Sequence, residues 1–406
     1  AAGGQVGQKS KIVAGILGLI YALTPHPVTP AKAPRIRRRR RLSKVRTVAL
    51  AGLAAGAVIA VVTGWLVALV IALLVGAALI RYQGVSPWYA YETIIREALL
   101  VDGGLTRTLQ KTAPLVLTGL AVVIPLRVGL FNIGGQGQLI FGAMFGAWVA
   151  YAAGGLGFLG AMCGMVAGMV AGAFIGWIAG VLKATRGVHE VITTIMLNYI
   201  AAGVTWWLVT GPLQAEGSKT SGIPQTELIP DAARVGAVAG IPIGFVIALA
   251  LAIACWWMLS RTTLGFKLNT VGANKHAARY AGININRIIA LSMVFGGGLA
   301  GLAGALEAAG TLHRFEPAIG GTLGFDGITI ALLARANPLA TIPAALLVGI
   351  LRTGAPGLQF ATGIAPEVVD LLLAIILLMV SIPVLGKWIF RSRADKVTAA
   401  STSWGN

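Results

Sequence analysis

Apolar runs long enough to cross a lipid bilayer recur along almost the whole of this 406-residue chain, and they constrain its fold more than any other feature. A spanning helix needs about 20 apolar residues, and only helices or closed barrels satisfy their backbone polar groups in hydrocarbon. The composition agrees, because 57% of the residues are hydrophobic and 11% are charged, against about a quarter charged in soluble domains. We therefore predict an all-α polytopic membrane protein without an independent soluble domain.

The formal net charge of +19 lies mostly at the ends of the apolar segments. In a soluble protein such a charge would indicate nucleic-acid binding. Here its distribution is typical of positive-inside topology and of contact with anionic lipid headgroups. We therefore predict membrane lipids as partners and no nucleic acid. The basic loop 261–287 contains no acidic residue, and placing this loop inside puts both termini on the cytoplasmic side.

The chain divides into a basic arm at 1–46, a transmembrane region at 47–390 and a tail at 391–406. An arginine cluster between Arg35 and Arg41 would hold the first span with its N-terminal side inside. We predict that the arm and the tail are cytoplasmic.

About ten transmembrane helices fit this topology. We place them at 47–80, 112–126, 128–152, 157–182, 191–210, 236–259, 288–310, 325–333, 339–351 and 368–388. The segments at 325–333 and 339–351 are too short for an ordinary crossing. We therefore expect short or broken helices near 322–352, and also near 128–138, where glycines and amides interrupt the apolar run.

The chain shows no sign of catalytic chemistry of its own. It lacks a GxxxxGK[ST] phosphate loop, paired carboxylates and a cysteine–histidine cluster with metal-site spacing. The polar residues at membrane depth are mostly amides, which bind neutral polar solutes but are poor acid–base groups. We therefore predict no enzymatic activity and no metal site.

Amide side chains cluster at the start of the third span. Asn132, Gln136 and Gln138 follow Phe131 among several glycines. Buried amides are costly unless they face one another, water or a ligand, and glycines permit the broken helices found at transporter sites. Interhelical hydrogen bonding with close glycine packing explains the same pattern. A substrate pathway and plain packing both remain open here.

An aromatic ring and a carboxylate stand side by side between glycines at Phe325 and Asp326. The ring could stack on a flat solute and the carboxylate could accept hydrogen bonds. Alternatively, Asp326 is the N-cap of the helix that follows.

The second half of the basic loop predicts a short helix, capped by Asn274 and ended by Gly282. Ala277, Ala278 and Ala281 leave a face of small residues that another protein could approach. An interfacial amphipathic helix anchored by its basic residues accounts for the same pattern.

Several motifs resemble those of permeases in the branched-chain amino acid/ribose ABC importer superfamily. Its cytoplasmic signature is similar to three segments of the basic loop: Gly265–Lys267, Val271–Asn274 and Ala277–Asn284. Other segments resemble motifs of the nucleoside-type branch, whose lipoprotein receptors are of the basic membrane protein kind. These segments are Gly129–Gly134 with Gln136–Gln138, Glu190–Ile192 with Met196–Ile200, and Gly324–Ile328 with Ala331–Leu333. The resemblance covers roughly 85–385. Departures from the pattern occur at His189, Lys275-His276 and Ala336-Asn337.

The resemblance implies a permease subunit of an ATP-driven importer for nucleosides, with simple sugars or branched-chain amino acids as alternative solutes. It also implies a bacterial plasma (inner) membrane protein that pairs with a second, related permease as a heterodimer. ABC ATPase subunits would bind ATP and Mg, this chain would bind no cofactor, and an extracytoplasmic lipoprotein or periplasmic solute-binding protein would deliver the solute.

The resemblance further implies that the short basic helix docks on the ATPase. The coupling residues would be Gly272, Asn274, Ala277, Ala278, Tyr280 and Gly282. The predicted substrate pathway consists of Phe131, Asn132, Gln136, Gln138, Asn198, Phe325 and Asp326. An ion-coupled secondary transporter remains the alternative, because Glu307, Asp326 and Asp370 are carboxylates of the kind that ion coupling requires.

Overall fold

The computed structural model describes residues 70–381; the basic arm 1–46 and the tail 391–406 lie outside the described residues. Helices dominate this range, which confirms the all-α prediction. In chain order the helices are α1 Val70–Tyr82, α2 Pro87–Ile95, α3 Gly104–Leu126, α4 Gly135–Ala152, α5 Phe158–Arg186, α6 Glu190–Thr210, α7 Glu216–Ser221, α8 Ile243–Arg261, α9 Thr263–Ala273, α10 Lys275–Tyr280, α11 Ile285–Glu307, α12 Leu323–Leu333, α13 Thr341–Thr362 and α14 Glu367–Ser381.

Short elements complete the described chain. π-helical turns at Arg96–Leu100 and Ala308–Leu312 extend α2 and α11. Single 3₁₀ turns lie at Gly154–Leu156 and Asp231–Ala233. A small antiparallel hairpin pairs β1 Ala237–Val238 with β2 Ile241–Pro242, so that Ala237 lies opposite Pro242.

Within residues 70–381, six helices are long and apolar enough to cross a membrane: α3, α5, α6, α8, α11 with its π turn, and α13. A seventh span results if α1 and α2, which are bent by 114° relative to each other, are counted together. Each of the ten predicted apolar segments overlaps one long or short helix of the described chain. The multi-pass architecture is therefore confirmed, and the break expected near 128–138 is present as the non-helical stretch before α4.

One expectation about the short segments was wrong. The segment 339–351 belongs to α13, which has 22 residues and is long enough to cross a membrane. The prediction ended at Leu351 because Arg352 interrupts the apolar run. The helix continues through Arg352 since this side chain is ion-paired with Asp326. The neighbouring α12 has 11 residues and is short, as predicted.

The two central helices are α3 and α11. In the most apolar 18-residue stretch of each, 78% of α3 and 72% of α11 are buried, whereas only 28% is buried in α6 and in α8. In lipid there is little hydrophobic drive for helices to associate, so close van der Waals packing through small residues takes its place. Helices α5 and α11 meet in this way. A methyl group at Gly172 would collide with the Gly297 carbonyl, and one at Gly301 would collide with the Gly168 carbonyl. The glycines thus bring two helix backbones into direct contact.

We predict that Gly172→Ala lowers the free energy of unfolding by about 1–3 kcal/mol, because the added methyl overpacks this contact. The matched control is Gly203→Ala in α6, where an added methyl meets nothing within 4 Å. Alanine favours a helix over glycine by up to about 1 kcal/mol, so the control should be neutral or stabilising. Thermal unfolding of the purified protein in detergent measures both variants. Equal melting temperatures would contradict close packing at Gly172.

Candidate functional site

The break between α3 and α4 is closed by two amide side chains. Gly129 adopts a φ of 79°, which turns the chain away from the end of α3. The fully buried Asn132 then donates hydrogen bonds to Gln138 Oε1 at 2.9 Å and to the Ala121 carbonyl at 3.2 Å. Gln138 Nε2 donates back to Asn132 Oδ1 at 3.1 Å. This reciprocal pair fixes the non-helical segment against α3.

Gln136 joins the start of α4 to the start of α12. Its Nε2 donates to the Gly321 carbonyl at 2.8 Å, and its Oε1 accepts from the Gly324 backbone N–H at 2.8 Å. Gly324 makes this approach possible, because a side chain there would collide with the Gln136 backbone. The backbone acceptor at Gly321, before α12, and the backbone donor at Gly324, in the first turn of α12, are thereby both satisfied inside the protein.

Asn198 on α6 does the same for the start of α4. Its Nδ2 donates to the Ile133 carbonyl at 3.0 Å, and its Oδ1 accepts from the Gly137 N–H at 2.8 Å. The side-chain amides of Asn132, Gln136, Gln138 and Asn198 therefore all bond to protein groups. Hydrogen bonds of this kind are what the packing explanation of the amide cluster predicts. A place for these residues, and for the half-buried Phe131, in a solute pathway stays a prediction.

Phe325 and Asp326 lie in the first turn of α12, beside the Gln136 contact. The Phe325 ring is 43% exposed, which leaves it free to contact a solute. Asp326 makes no cap hydrogen bond, and the residue preceding the helix is Thr322. The N-cap interpretation of Asp326 was therefore wrong.

Asp326 is instead held by Arg352, which was not among the predicted site residues. Arg352 Nη2 lies 2.9 Å from Asp326 Oδ2 and donates to Thr322 Oγ1 at 2.7 Å. The same nitrogen lies 3.4 Å from Asp370 Oδ1. Arg352 thus ties α12, α13 and α14 together. A single arginine within an otherwise apolar run was the available signal, since a charge in that setting requires a partner.

Each carboxylate that suggested ion coupling faces a basic side chain. Arg352 pairs with both Asp326 and Asp370. Glu307 interacts electrostatically with Lys111, and Lys111 Nζ donates to the Arg352 carbonyl at 3.2 Å. The acids and bases therefore form one polar network that joins α3, α11, α12, α13 and α14. Among the described residues, no group of three or more histidine, cysteine or acidic residues is placed to hold a metal ion.

The predicted short helix of the basic loop is present as α10, Lys275–Tyr280. Asn274 Oδ1 caps it by accepting from the Ala277 N–H at 3.0 Å, and Gly282 follows with a φ of 73°. The predicted cap and end are confirmed. Tyr280 is 94% exposed, whereas Ala278 is fully buried in the chain's own core. Ala278 therefore does not belong to the exposed face where it was predicted.

The packing of this loop explains that difference. The stretch before α10, from which no helix was predicted, forms α9 and ends against the end of α3. Ala278 joins a buried cluster that contains Val128, Val271 and Ile283. The remaining residues of α10 are exposed. No other part of the described chain covers these residues, so α10 presents an exposed basic surface.

Fold and site together define a multi-pass membrane protein with broken helices and an exposed basic helix. The family described as branched-chain amino acid transport system / permease component matches residues 104–381. The chain belongs to this permease family, which confirms the resemblance to its superfamily. It is accordingly a component of a transport system and not a catalytic subunit.

Curated relatives extend over most of the chain. The guanosine ABC transporter permease protein NupP of Bacillus subtilis (strain 168) is 35% identical, over 78% of this chain and 92% of its own length. The nucleoside ABC transporter permease protein NupB of Lactococcus lactis subsp. cremoris (strain MG1363) is 34% identical, over 83% and 94%. The glucose ABC transporter permease protein TsgB13 of Haloferax volcanii is 34% identical, over 76% and 83%.

We predict that Gln136→Met lowers the melting temperature, because it leaves the Gly321 carbonyl and the Gly324 N–H without their partner. A buried unsatisfied polar group costs about 1–3 kcal/mol. Gln359→Met is the matched control, since Gln359 is exposed on α13. Thermal unfolding in detergent compares the two variants. If Gln136→Met were as stable as the control, Gln136 would not hold α12 in place.

Proposed function

We propose that this chain is the permease subunit of an ATP-driven ABC importer for nucleosides. Two relatives that are named as guanosine and nucleoside permeases match it at 35% and 34% identity over more than nine-tenths of their own length, and this observation carries the proposal. The relative named as a glucose permease, at 34% identity, makes simple sugars the second candidate. Branched-chain amino acids remain an alternative because of the family description.

The proposed complex contains a second, related permease. The chain is similar to two guanosine permease proteins of the same bacterium, NupP at 35% and NupQ at 25% identity, which supports a heterodimer of unlike permeases. An extracytoplasmic lipoprotein or periplasmic protein would deliver the solute. Cytoplasmic ABC ATPases would bind ATP and Mg. The chain itself would lie in the bacterial inner membrane with both termini in the cytoplasm.

Helix α10 is the proposed contact with the ATPase. It is exposed, basic and capped by Asn274, and its buried Ala278 shares a cluster with Val128, which lies just after α3. Such a helix suits a groove in a partner, because Ala277 and Tyr280 are exposed while Ala278 fixes the helix to the permease core. Closure of paired ATPases on ATP would displace α10, and the packed helices would move with it as rigid elements.

The start of α12 is the proposed solute contact. The exposed ring of Phe325 can stack on a base, as aromatic side chains do on flat nucleobases. Asp326 can accept hydrogen bonds from hydroxyl groups while Arg352 balances its charge. Phe131, Asn132, Gln136, Gln138 and Asn198 would complete the pathway around the neighbouring helix break. A neutral polar solute with an aromatic face fits this combination.

The test is uptake by the complex that co-purifies with the tagged chain from its native membranes. We predict that proteoliposomes holding this complex and lumenal ATP accumulate guanosine, and that they do not accumulate it without ATP. Uptake driven by an ion gradient without ATP would favour a secondary transporter instead. ATP-dependent uptake of glucose but not guanosine would favour the sugar alternative.

Ala277→Glu tests the docking of α10 in the same preparation. An unpaired charge buried at an interface costs several kcal/mol, so ATPase binding should weaken by about a hundredfold or more. Ala232→Glu is the matched control, because Ala232 is exposed in the 3₁₀ turn between α7 and α8. The control should retain the ATPase. Full retention of the ATPase by Ala277→Glu would contradict docking through α10.

A further inference from the structure

Helix α12 ends in a strained turn. Arg335 and Ala336 adopt φ angles of 49° and 55°, in the left-handed region that favours glycine. The Arg335 N–H bonds to the Leu332 carbonyl and the Ala336 N–H to the Ala331 carbonyl, both at 2.9 Å. This is the hydrogen-bond pattern that ends many helices with a glycine. Two non-glycine residues in succession persist there only if their surroundings hold them.

Arg127 is one of the groups that holds this turn. It follows the last residue of α3, and its Nη2 donates to the Ala336 carbonyl at 2.6 Å. The Ala336 side chain packs against a buried cluster formed by Val122 and Val123 of α3 and Ala331 of α12. Arg127 Nε is buried without a hydrogen-bond partner, so burying the guanidinium here costs free energy of folding. The contact to the strained turn provides a reason for that placement.

The backbone of Arg127 is in close contact with the segment that leads into α10. Gly272, near the end of α9, lies so close that a methyl group there would collide with the Arg127 carbonyl. Val128 shares a buried cluster with Val271 of α9 and with Ala278, the buried residue of α10. A displacement of α10 therefore reaches Arg127 through atoms already in contact.

The contacts that begin at α10 and pass through Arg127 and Ala336 lead to the proposed solute site at the start of α12. With 11 residues, α12 is about 16 Å long and reaches through only about half of the hydrocarbon core. Phe325 and Asp326 lie in its first turn, and the strained turn follows its last. Because a short helix moves as a rigid body, a change at Ala336 alters the position of Phe325.

We propose that Arg127 is a positioning residue that transmits the displacement of α10 to α12 by holding or releasing the strained Arg335–Ala336 turn. The turn supplies the two states, one held in the left-handed region and one relaxed. Transmission between distant sites requires such a bistable element. The role in transport rests on the proposed importer function, whereas the link between Arg127 and α12 does not.

The first experiment uses the full chain alone in lipid nanodiscs. The exposed Cys163 is replaced by Ala, and Phe325→Cys is labelled with a maleimide. Arg127→Gln should raise the labelling rate by about fivefold, the lower end of ordinary coupling between sites, while Arg127→Lys should lie in between. Arg186→Gln, at the exposed end of α5, removes a similar charge and should change nothing. Equal labelling in Arg127→Gln and Arg186→Gln would overturn the inference.

A double variant tests the strained turn itself. Ala336→Gly relieves the left-handed strain, so the turn should stay in its held state and the labelling rate should not rise on its own. If Arg127 acts through this turn, adding Arg127→Gln to Ala336→Gly should have little further effect. Fully additive changes would overturn the proposed route.

The second experiment uses the complete complex with its ATPase. Arg127→Gln should retain the ATPase and hydrolyse ATP at close to the normal rate, while solute uptake per ATP falls about tenfold or more. Unchanged uptake per ATP would overturn the transport role. If the nanodisc result holds but no ATPase co-purifies, the importer proposal fails and the link between Arg127 and α12 stands.

Discussion

Every backbone N–H and C=O group at membrane depth must find a partner inside the protein, because hydrocarbon offers none. An unbroken helix meets this requirement by itself, but this chain breaks its helices before α4 and before α12. At those breaks the partners are amide side chains, since an amide offers both a donor and an acceptor. Gln136 satisfies Gly321 and Gly324, and Asn198 satisfies Ile133 and Gly137. The remaining architecture around α12 depends on these contacts.

The same breaks place charge and aromatic surface where a continuous helix would present only apolar side chains. The start of α12 brings Phe325 and Asp326 next to Arg352. The end of α12 meets Arg127 near the exposed helix α10. A helix too short to cross the membrane thus has one end at the candidate solute site and the other beside the candidate docking surface. This arrangement suits alternating access, in which rigid elements switch between two positions.

Much of this fold follows from local patterns in the sequence. Glycines and amides at 128–138 predicted the first break, and Asn274 with Gly282 predicted the bounds of α10, because caps and breaks act over a few residues. Arg352 was mistaken for the end of a short segment, since its partner Asp326 lies 26 positions away. Ala278 was assigned to the exposed face because a six-residue helix carries too little pattern to orient it. The partner of Arg352 and the orientation of Ala278 both depend on tertiary packing, which a local sequence pattern does not predict.

The structure depends most on the amide side chains that take the place of helix hydrogen bonds at the two breaks. Hydrogen exchange of the full chain in nanodiscs, resolved at the Gly137 and Gly324 amides, tests this role of the side chains most directly. Both lie at helix starts, where the first N–H groups have no partner within the helix. Bonded to Asn198 and Gln136, they should exchange about a hundredfold or more slower than exposed hairpin amides. Exchange at the rate of the hairpin would contradict the account.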